Sequence, residues 1–201
     1  MAAILTLQRL GHAGIGAYFR PRDVAPLGVT YYQLQKLAAA GEVEAVSHGL
    51  YRLTAPDVTE METIAMAASA IPHGIVCLLS ALRVHDIGTQ SPWQVWMAID
   101  RKARKPSRLP SSVRIVRFSG ATLSYGVESV SILGVPVQIT SPARTVVDCF
   151  RYRNKIGLDV ALEALREAVR SRRALVSEID RAAEVCRIGS VMRPYLAALS
   201  A

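Results

Sequence analysis

Cysteine is scarce in this sequence. The three that occur, Cys77, Cys149 and Cys186, lie far apart and show no C-x-x-C spacing. This pattern argues against a disulfide framework and against a zinc site, so we expect reduced thiols inside a core. We therefore predict neither a metal ion nor a cofactor for this protein.

Long hydrophobic runs are also missing. The longest apolar stretch, residues 74–82, falls far short of the roughly 18 residues that a transmembrane helix needs. At the amino terminus, Ile4, Leu5, Leu7 and Leu10 form an amphipathic stripe instead of the continuous apolar block of a signal peptide. We expect a cytoplasmic protein without membrane contact.

Signatures of catalysis are missing too. There is no glycine-rich phosphate loop, and no paired aspartates follow Gly189-Ser190 as they would in a nucleotidyltransferase. Ser80, His85 and Asp86 are residue types of a hydrolase, but adjacent helix residues point apart, and we expect His85 to complement a helix C-terminus. We predict that the protein is not an enzyme; the alternative is a nucleic-acid-processing enzyme whose site has no sequence signature.

The composition that is present suits a folded, positively charged protein. Of its 201 residues, 51% are hydrophobic, enough to bury a core in one or two domains. The formal net charge is +8 and the sequence pI is about 9.8. Such a balance favours an anionic partner, and nucleic acid is the commonest one for a chain that also carries a DNA-binding motif.

Residues 20–53 have the pattern of a winged helix-turn-helix. Gly28 suits the turn after a first short helix, and Thr30 is an N-cap for a second helix whose apolar residues recur three and four positions apart. Strand-like alternation then leads into a hairpin with Gly49 at its turn, which is typical of a wing.

The second helix of this motif carries side chains that can read DNA. Glutamine can pair bidentately with adenine in the major groove, and aromatic carbon can contact the thymine methyl. The expected DNA-binding residues are Arg20, Arg22, Thr30, Tyr31, Tyr32, Gln33, Gln35, Lys36, His48 and Arg52. One winged helix reads too few bases to be selective, so we expect double-stranded operator DNA with an inverted repeat, bound by a dimer. The alternative is a protein-binding winged helix with Tyr31 or Tyr32 in its core.

A polar break at residues 54–57 predicts two domains, 1–55 and 56–201. The predicted fold class is α+β, with an N-terminal winged helix-turn-helix and a C-terminal mixed α/β domain that ends in a helical segment. The expected elements outside the winged motif are a helix over 1–19, helices up to Ala70 and over 75–85, strands over 93–99, 113–118, 127–131 and 135–140, and helices over 142–150, 158–169, from Ser177 and over 192–200.

A dense basic run falls between two predicted strands. Its five cations are Arg101, Lys102, Arg104, Lys105 and Arg108. Like charges this close repel one another unless a counter-charge is present, so we expect a second basic patch that contacts phosphate. A solvated surface loop and an acidic protein partner are the alternatives.

Three segments resemble the AbiEi family of type IV antitoxins. They are the winged segment through GLYRL, SALRVHDIG at residues 80–88 and ITSPARTVVDCF at residues 139–150. The resemblance covers nearly the whole chain. It implies an N-terminal DNA-binding winged helix, a C-terminal domain that counteracts a cognate nucleotidyltransferase toxin, and repression of the protein's own promoter. The second helix of the motif is poorer in basic residues than the family implies.

Arg144 and Asp148 stand four positions apart on a predicted helix. Such a pair stabilises a helix by only a few tenths of a kcal/mol, and a structural role is the first interpretation. The resemblance adds a second one, in which both residues serve the antitoxin function. We predict a transcriptional autorepressor and antitoxin; the alternative is a free-standing winged-helix transcription factor whose C-terminal domain senses a ligand or mediates dimerisation.

Overall fold

The computed structural model describes residues 15, 17–54, 60–106 and 112–199. These residues form two compact units, one from 17–72 together with 131–137, and one from 73–130 together with 138–199. The predicted α+β class is confirmed, since helices and strands are mixed in both units. Within the described ranges, no helix is long and apolar enough to cross a membrane.

The first unit contains the predicted winged helix-turn-helix. A short helix, α1 (Pro21–Val24), is followed by a single 3-10 turn and then by the recognition helix α2 (Tyr31–Ala39). The wing is the antiparallel hairpin of β2 (Val43–Ser47) and β3 (Leu50–Leu53). Gly49 has a φ of 70° at its turn, a backbone conformation that glycine adopts without steric cost.

A small apolar core holds this unit together. Leu34 and Leu37 lie one turn apart on the inner face of α2 and are buried, as their spacing predicted. They pack with Phe19, Val24 and Val43 from the neighbouring elements. The orientation of α2 is therefore set by its buried stripe, which leaves its opposite face available for a ligand.

A third strand lies where the end of a first helix was predicted. Strand β1 (Tyr18–Phe19) pairs antiparallel with β3, and the sheet order is β1-β3-β2. The predicted helix over 1–19 is wrong at this end, because the two aromatic residues gain main-chain pairing and packing on β3. Residues 15 and 17 are not helical either. The rest of that prediction falls on residues 1–14 and 16, which lie outside the described residues.

The first compact unit also reaches beyond the predicted boundary at residue 55. Helix α3 (Glu60–Ala70) is grouped with the winged motif, and the Arg20 guanidinium donates to two carbonyl oxygens at its C-terminal end, at 2.9 and 3.1 Å. Residues 131–137 are grouped with it as well. The division of labour between a DNA-binding domain and an antitoxin domain stays a prediction.

A mixed five-stranded sheet forms the framework of the second unit. Its order is β6-β5-β4-β8-β7, where the strands are β4 (Ile75–Val76), β5 (Val95–Asp100), β6 (Val113–Phe118), β7 (Val127–Ile132) and β8 (Val135–Thr140). Strand β4 pairs antiparallel with β5 and parallel with β8, while β5 and β6 are parallel. The four strands predicted from composition are confirmed.

The central strand was not predicted. Residues 75–85 were expected to form one helix, but Ile75 and Val76 form β4, and helix α4 begins at Leu78 and ends at Val84. Both strand residues are β-branched and buried between two neighbouring strands. A short, continuously apolar run does not reveal by its periodicity whether it is a buried strand or a buried helix, which explains the error.

Helices complete the second unit. Helix α6 (Pro142–Arg151) begins where predicted, and the Ser141 hydroxyl accepts a hydrogen bond from the Arg144 N–H at 3.4 Å. The predicted N-cap at Ser177 is wrong, because Leu175 precedes the first turn and its N–H donates to the Glu178 carboxylate at 2.9 Å. The other helices are α5 (Ala121–Ser124), α7 (Arg153–Ile156), α8 (Leu158–Arg170), α9 (Val176–Val185) and α10 (Gly189–Leu199).

Candidate nucleic-acid interface

Helix α2 presents a polar face opposite its buried stripe. The side chains of Tyr31 and Tyr32 are 64% and 67% exposed, and Gln35 and Lys36 are exposed beside them. Neither tyrosine lies in the core, which removes the ground for interpreting them as packing residues. The face offers aromatic carbon, an amide and one cation, which is the chemistry that direct readout of bases requires.

Two of the predicted contact residues form the cap of this helix. The Thr30 hydroxyl accepts from the Gln33 N–H at 3.3 Å, and the Gln33 Oε1 accepts from the Thr30 N–H at 2.7 Å. This reciprocal pair is a capping box, so it satisfies main-chain donors at the start of α2. Gln33 therefore has its oxygen committed to the helix, and only its amide nitrogen is left for a ligand.

A third side chain organises the middle of the face. Gln35 donates from Nε2 to the hydroxyl oxygen of Tyr51 at 3.1 Å. Tyr51 is only 4% exposed, and burial raises its pKa. Tyr51 was not among the predicted site residues, although the inward position of an aromatic residue on β3 is a signal that could have identified it.

Cations are few around α2. The Lys36 ammonium lies over the Tyr32 ring, 4.8 Å from its centroid, and so remains at the surface. His48 is exposed at the turn of the wing. Arg22 is exposed as well, with its Nε 3.6 Å from the Asp23 carboxylate. These three residues can approach phosphate from positions that flank the recognition helix.

Two of the predicted DNA-binding residues, Arg20 and Arg52, bond to other groups of the first unit. Arg20 donates from Nη2 to the carbonyl oxygens of Ser69 and Ala70. Arg52 lies between two carboxylates, 2.7 Å from Glu44 and 3.5 Å from Glu62. Both guanidinium groups therefore have partners within the fold, and this geometry favours a structural role for them over phosphate contact.

The predicted second basic patch lies in the connection between β5 and β6. Because these strands are parallel, the chain must return along the sheet before the second strand begins. The Asp100 carboxylate accepts from the Lys102 N–H at 2.7 Å and shapes the first bend. In the described part of the connection, none of the exposed cations forms an ion pair; they are Arg101, Lys102, Arg104 and Lys105. Arg108 lies outside the described residues.

Charge is distributed unevenly along the chain. Residues 1–72 contain five basic and six acidic residues, whereas residues 73–201 contain nineteen basic and ten acidic ones. The segment 131–137, which belongs to the first unit, has no charged residue. The whole positive charge of the protein is therefore carried by the second unit, and the winged unit is close to neutral.

The Arg144–Asp148 pair forms, but it is buried. Arg144 Nε donates to the Asp148 carboxylate at 3.0 Å, and both side chains are 0% exposed. The two terminal guanidinium nitrogens donate to the carbonyl oxygens of Tyr125 at 2.6 Å and Thr122 at 2.7 Å. Burial raises the pKa of Asp148 to about 6, and the charge of Arg144 opposes that rise. Neither side chain reaches the surface in this conformation, which favours the structural interpretation.

Ser80 and His85, two residue types found in hydrolase sites, each bond to a different main-chain group. His85 ends α4, as predicted, and its Nε2 donates to the Thr140 carbonyl at 2.6 Å. Burial lowers the pKa of His85, so its neutral form is favoured. The Ser80 hydroxyl accepts from the Trp96 N–H at 2.9 Å. Each of these groups therefore has a hydrogen-bonding role within the second unit.

The three cysteines are free and buried, as predicted. Burial raises the pKa of Cys77 and of Cys149, which keeps both as thiols. Among the described residues, no group of three or more histidines, cysteines, aspartates and glutamates is placed to hold a metal ion.

These features define a class of protein. A winged helix-turn-helix with an exposed polar recognition face, in a chain that continues into an α/β unit, is the architecture of a DNA-binding regulator. Residues 12–54 match the family model of the transcriptional regulator AbiEi antitoxin. The match supports the predicted resemblance to the AbiEi family over the winged motif, and the resemblance over residues 80–88 and 139–150 stays a prediction. No curated protein matches the chain.

Proposed function

We propose that this protein is a transcriptional autorepressor that binds operator DNA through α2 and its wing, and that it is the antitoxin of a cognate nucleotidyltransferase toxin. The observation that carries the proposal is that the family match and the exposed polar face fall on the same segment. The segment that matches the AbiEi regulators, residues 12–54, is the segment that presents the exposed face of Tyr31, Tyr32, Gln35 and Lys36. Aromatic carbon, an amide and a cation on one exposed helix face suit contacts with base edges and phosphate.

The charge distribution supports a two-part mode of binding. The winged unit supplies groups that distinguish bases, but it has few cations to contact phosphate. The exposed loop cations of the second unit can supply the sequence-independent attraction, because each phosphate contact releases counterions from DNA. We expect two copies to occupy an inverted repeat, since each α2 covers only a few base pairs.

Mobility-shift titrations with the DNA upstream of the gene test the repressor function. Wild-type protein should bind this duplex more tightly than a scrambled duplex of equal length at physiological salt, and Tyr31→Ala should reduce the difference. Equal binding to both duplexes would contradict the proposal.

Co-expression tests the antitoxin function separately. The reading frame next to this gene is expected to encode a nucleotidyltransferase, and cells that express it should grow only when this protein is also present. The full-length Tyr31→Ala variant should still protect the cells, because the proposal assigns protection to the second unit. If the neighbouring product is harmless, or if the protein fails to protect, the antitoxin assignment is wrong.

A ligand-sensing regulator is the second candidate, and one cleft favours it. A cavity of about 470 Å³ in the second unit is lined by His73, Asp100, Ser124 and Gln138 together with apolar side chains. Polar groups that converge on a partly apolar cleft suit a small polar molecule. Under this alternative, a small metabolite would change operator affinity and no toxin would be encoded nearby.

A further inference from the structure

Another cavity of the second unit differs in chemical character from the cleft beside His73. Its volume is about 400 Å³, which is enough for a sugar phosphate or a mononucleotide. Its walls are residues 119–122, which lead from β6 into α5, residues 185–188, at the turn from α9 to α10, and Arg151 at the end of α6. Two arginines and no acidic residue line it, whereas the cleft beside His73 contains Asp100.

The two arginines, Arg151 and Arg187, are exposed and have no counter-charge. Neither forms an ion pair with a described residue. Arg151 Nη1 donates to the Cys186 carbonyl at 3.3 Å, which holds this guanidinium against the α9–α10 turn and leaves most of its five N–H donors for a ligand. A recess lined by charge of one sign concentrates the electric field and attracts an anion.

Arg187 occupies a backbone position that glycine usually occupies. Helix α9 ends in a Schellman motif, in which the Arg187 N–H donates to the Glu184 carbonyl at 3.0 Å and the Ile188 N–H donates to the Ala183 carbonyl at 2.9 Å. The φ of Arg187 is 59°, a left-handed conformation that is unfavourable for a residue with a Cβ. The motif needs only the main chain of this residue, so its guanidinium is free for another role.

The opposite wall of the cavity offers a hydroxyl group and open space. Thr122 Oγ1 closes this turn, because it accepts from the Ser119 N–H at 3.1 Å and donates to the Ser119 carbonyl at 2.8 Å. The Ser119 hydroxyl itself has no hydrogen-bond partner in the part of the chain that the structure describes. A Cβ at Gly120 would meet no atom within 4 Å, so a ligand can approach the main chain there.

We propose that this cavity binds the phosphate group of a small phosphorylated metabolite, of sugar-phosphate or mononucleotide size. A phosphate monoester carries a charge of about −1.5 to −2 at neutral pH and has three strong acceptor oxygens, which suit two guanidinium groups and a hydroxyl. Val185 and Ile188 supply apolar contacts for the carbon skeleton. A backbone phosphate of duplex DNA carries one charge and lies on a convex surface, so it fits a recess less well.

Calorimetric titration of the full-length protein tests recognition of phosphate. Ribose 5-phosphate and AMP should both bind at millimolar concentration or below, and adenosine should bind about tenfold more weakly or worse, because it lacks the charge-assisted hydrogen bonds. Equal binding of AMP and adenosine, or no binding of either phosphorylated compound, would overturn the proposal. The result does not depend on operator binding or on protection from a toxin, so either proposed function can fail without affecting it.

Arg187→Gly locates the site without endangering the fold. Its thermal midpoint should equal or exceed that of wild type, because relief of the left-handed backbone offsets the freedom that glycine adds to the unfolded chain. Its affinity for AMP should nevertheless fall by about tenfold or more.

The matched control is Arg172→Gly. Arg172 ends α8 in the same motif with a φ of 56°, is exposed, and does not line this cavity. Its replacement removes the same charge and should change AMP affinity by less than about twofold, since distant surface charges are screened by salt. Equal losses in the two variants would show that only net charge attracts AMP, and an Arg187→Gly that keeps wild-type affinity for AMP but binds duplex DNA more weakly would assign the arginine to DNA; both results would overturn the proposal.

Discussion

The two compact units differ in how many cations they expose without an ion-pair partner. In the winged unit, Arg20 and Arg52 are held by carbonyl and carboxylate groups of the fold, and α2 contributes a single lysine. In the second unit, the loop after β5 exposes four cations without an ion-pair partner among the described residues. Under the proposed function, the winged unit would contribute base contacts and the second unit would contribute electrostatic attraction. Affinity and selectivity can thus be altered independently.

The largest effect is expected from Arg144, which belongs to the charged unit but is fully buried. Arg144→Ala leaves the Asp148 carboxylate buried without its partner, so the free energy of unfolding should fall by about 3–5 kcal/mol. Urea denaturation measures it. The sequence alone predicted only a weak helix pair. A control that removes both charges, Arg144→Met with Asp148→Leu, should be closer to wild type, and a loss below about 1 kcal/mol in Arg144→Ala would contradict a buried pair.

The next prediction tests whether the position of the loop cations determines their contribution to DNA affinity, or whether only the net charge of the protein does. Changing Arg101, Lys102, Arg104 and Lys105 to glutamine should make the slope of log K against log salt shallower by about 3.6 if each contacts one phosphate. The matched control changes four exposed arginines elsewhere in the second unit and removes the same charge; they are Arg166, Arg172, Arg181 and Arg193. Equal slopes for the two variants would show that total charge, not the loop, determines attraction.

A smaller effect is expected from Lys36 in the winged unit. Lys36→Gln should weaken binding to all sequences alike and reduce the salt slope by about 1, because it removes one phosphate contact. Gln35→Ala should leave the slope unchanged and alter base preference. If Lys36→Gln changed selectivity instead, the separation of charge from readout within the winged unit would be wrong.

The last effect concerns the pH dependence of the free energy of unfolding. The pKa of Asp148 is raised from 3.8 to about 6 in the folded state, so the folded protein binds this proton more tightly than the unfolded chain does. The stabilisation is present below about pH 4 and is lost as the pH rises through about 6. Relative to Asp148→Asn, wild type should therefore become less stable between these values. If wild type instead gained stability relative to Asp148→Asn as the pH rose, the attraction of Arg144 would exceed the cost of burying the Asp148 carboxylate.

Features that depend on neighbouring residues in the chain were predictable. The Thr30 cap, the glycine at the wing turn and the Ser141-Pro142 start of α6 act over four residues or fewer, and all three were predicted. The exposed face of α2 followed from its period. The functional roles proposed for these residues required the family resemblance in addition.

Features that depend on distant partners were not predictable. Nothing within residues 18–19 announces a strand, because its hydrogen bonds are made with residues 51–52. Arg20 and Arg52 were expected to contact DNA and Arg144 to form a weak helix pair, but the carbonyl and carboxylate groups that surround them come from distant segments. Tyr51 gained a role only when β3 brought its hydroxyl to Gln35.

The sequence by itself determined where most helices and strands begin, which face of α2 is polar, and that the net charge is positive, because these are local or additive properties. Only the tertiary structure decided which cations face solvent, where the first compact unit ends, and that Gln35 bonds to the Tyr51 hydroxyl. Burial and long-range hydrogen bonds are properties of pairs of residues, and the pairs form only when the chain has folded.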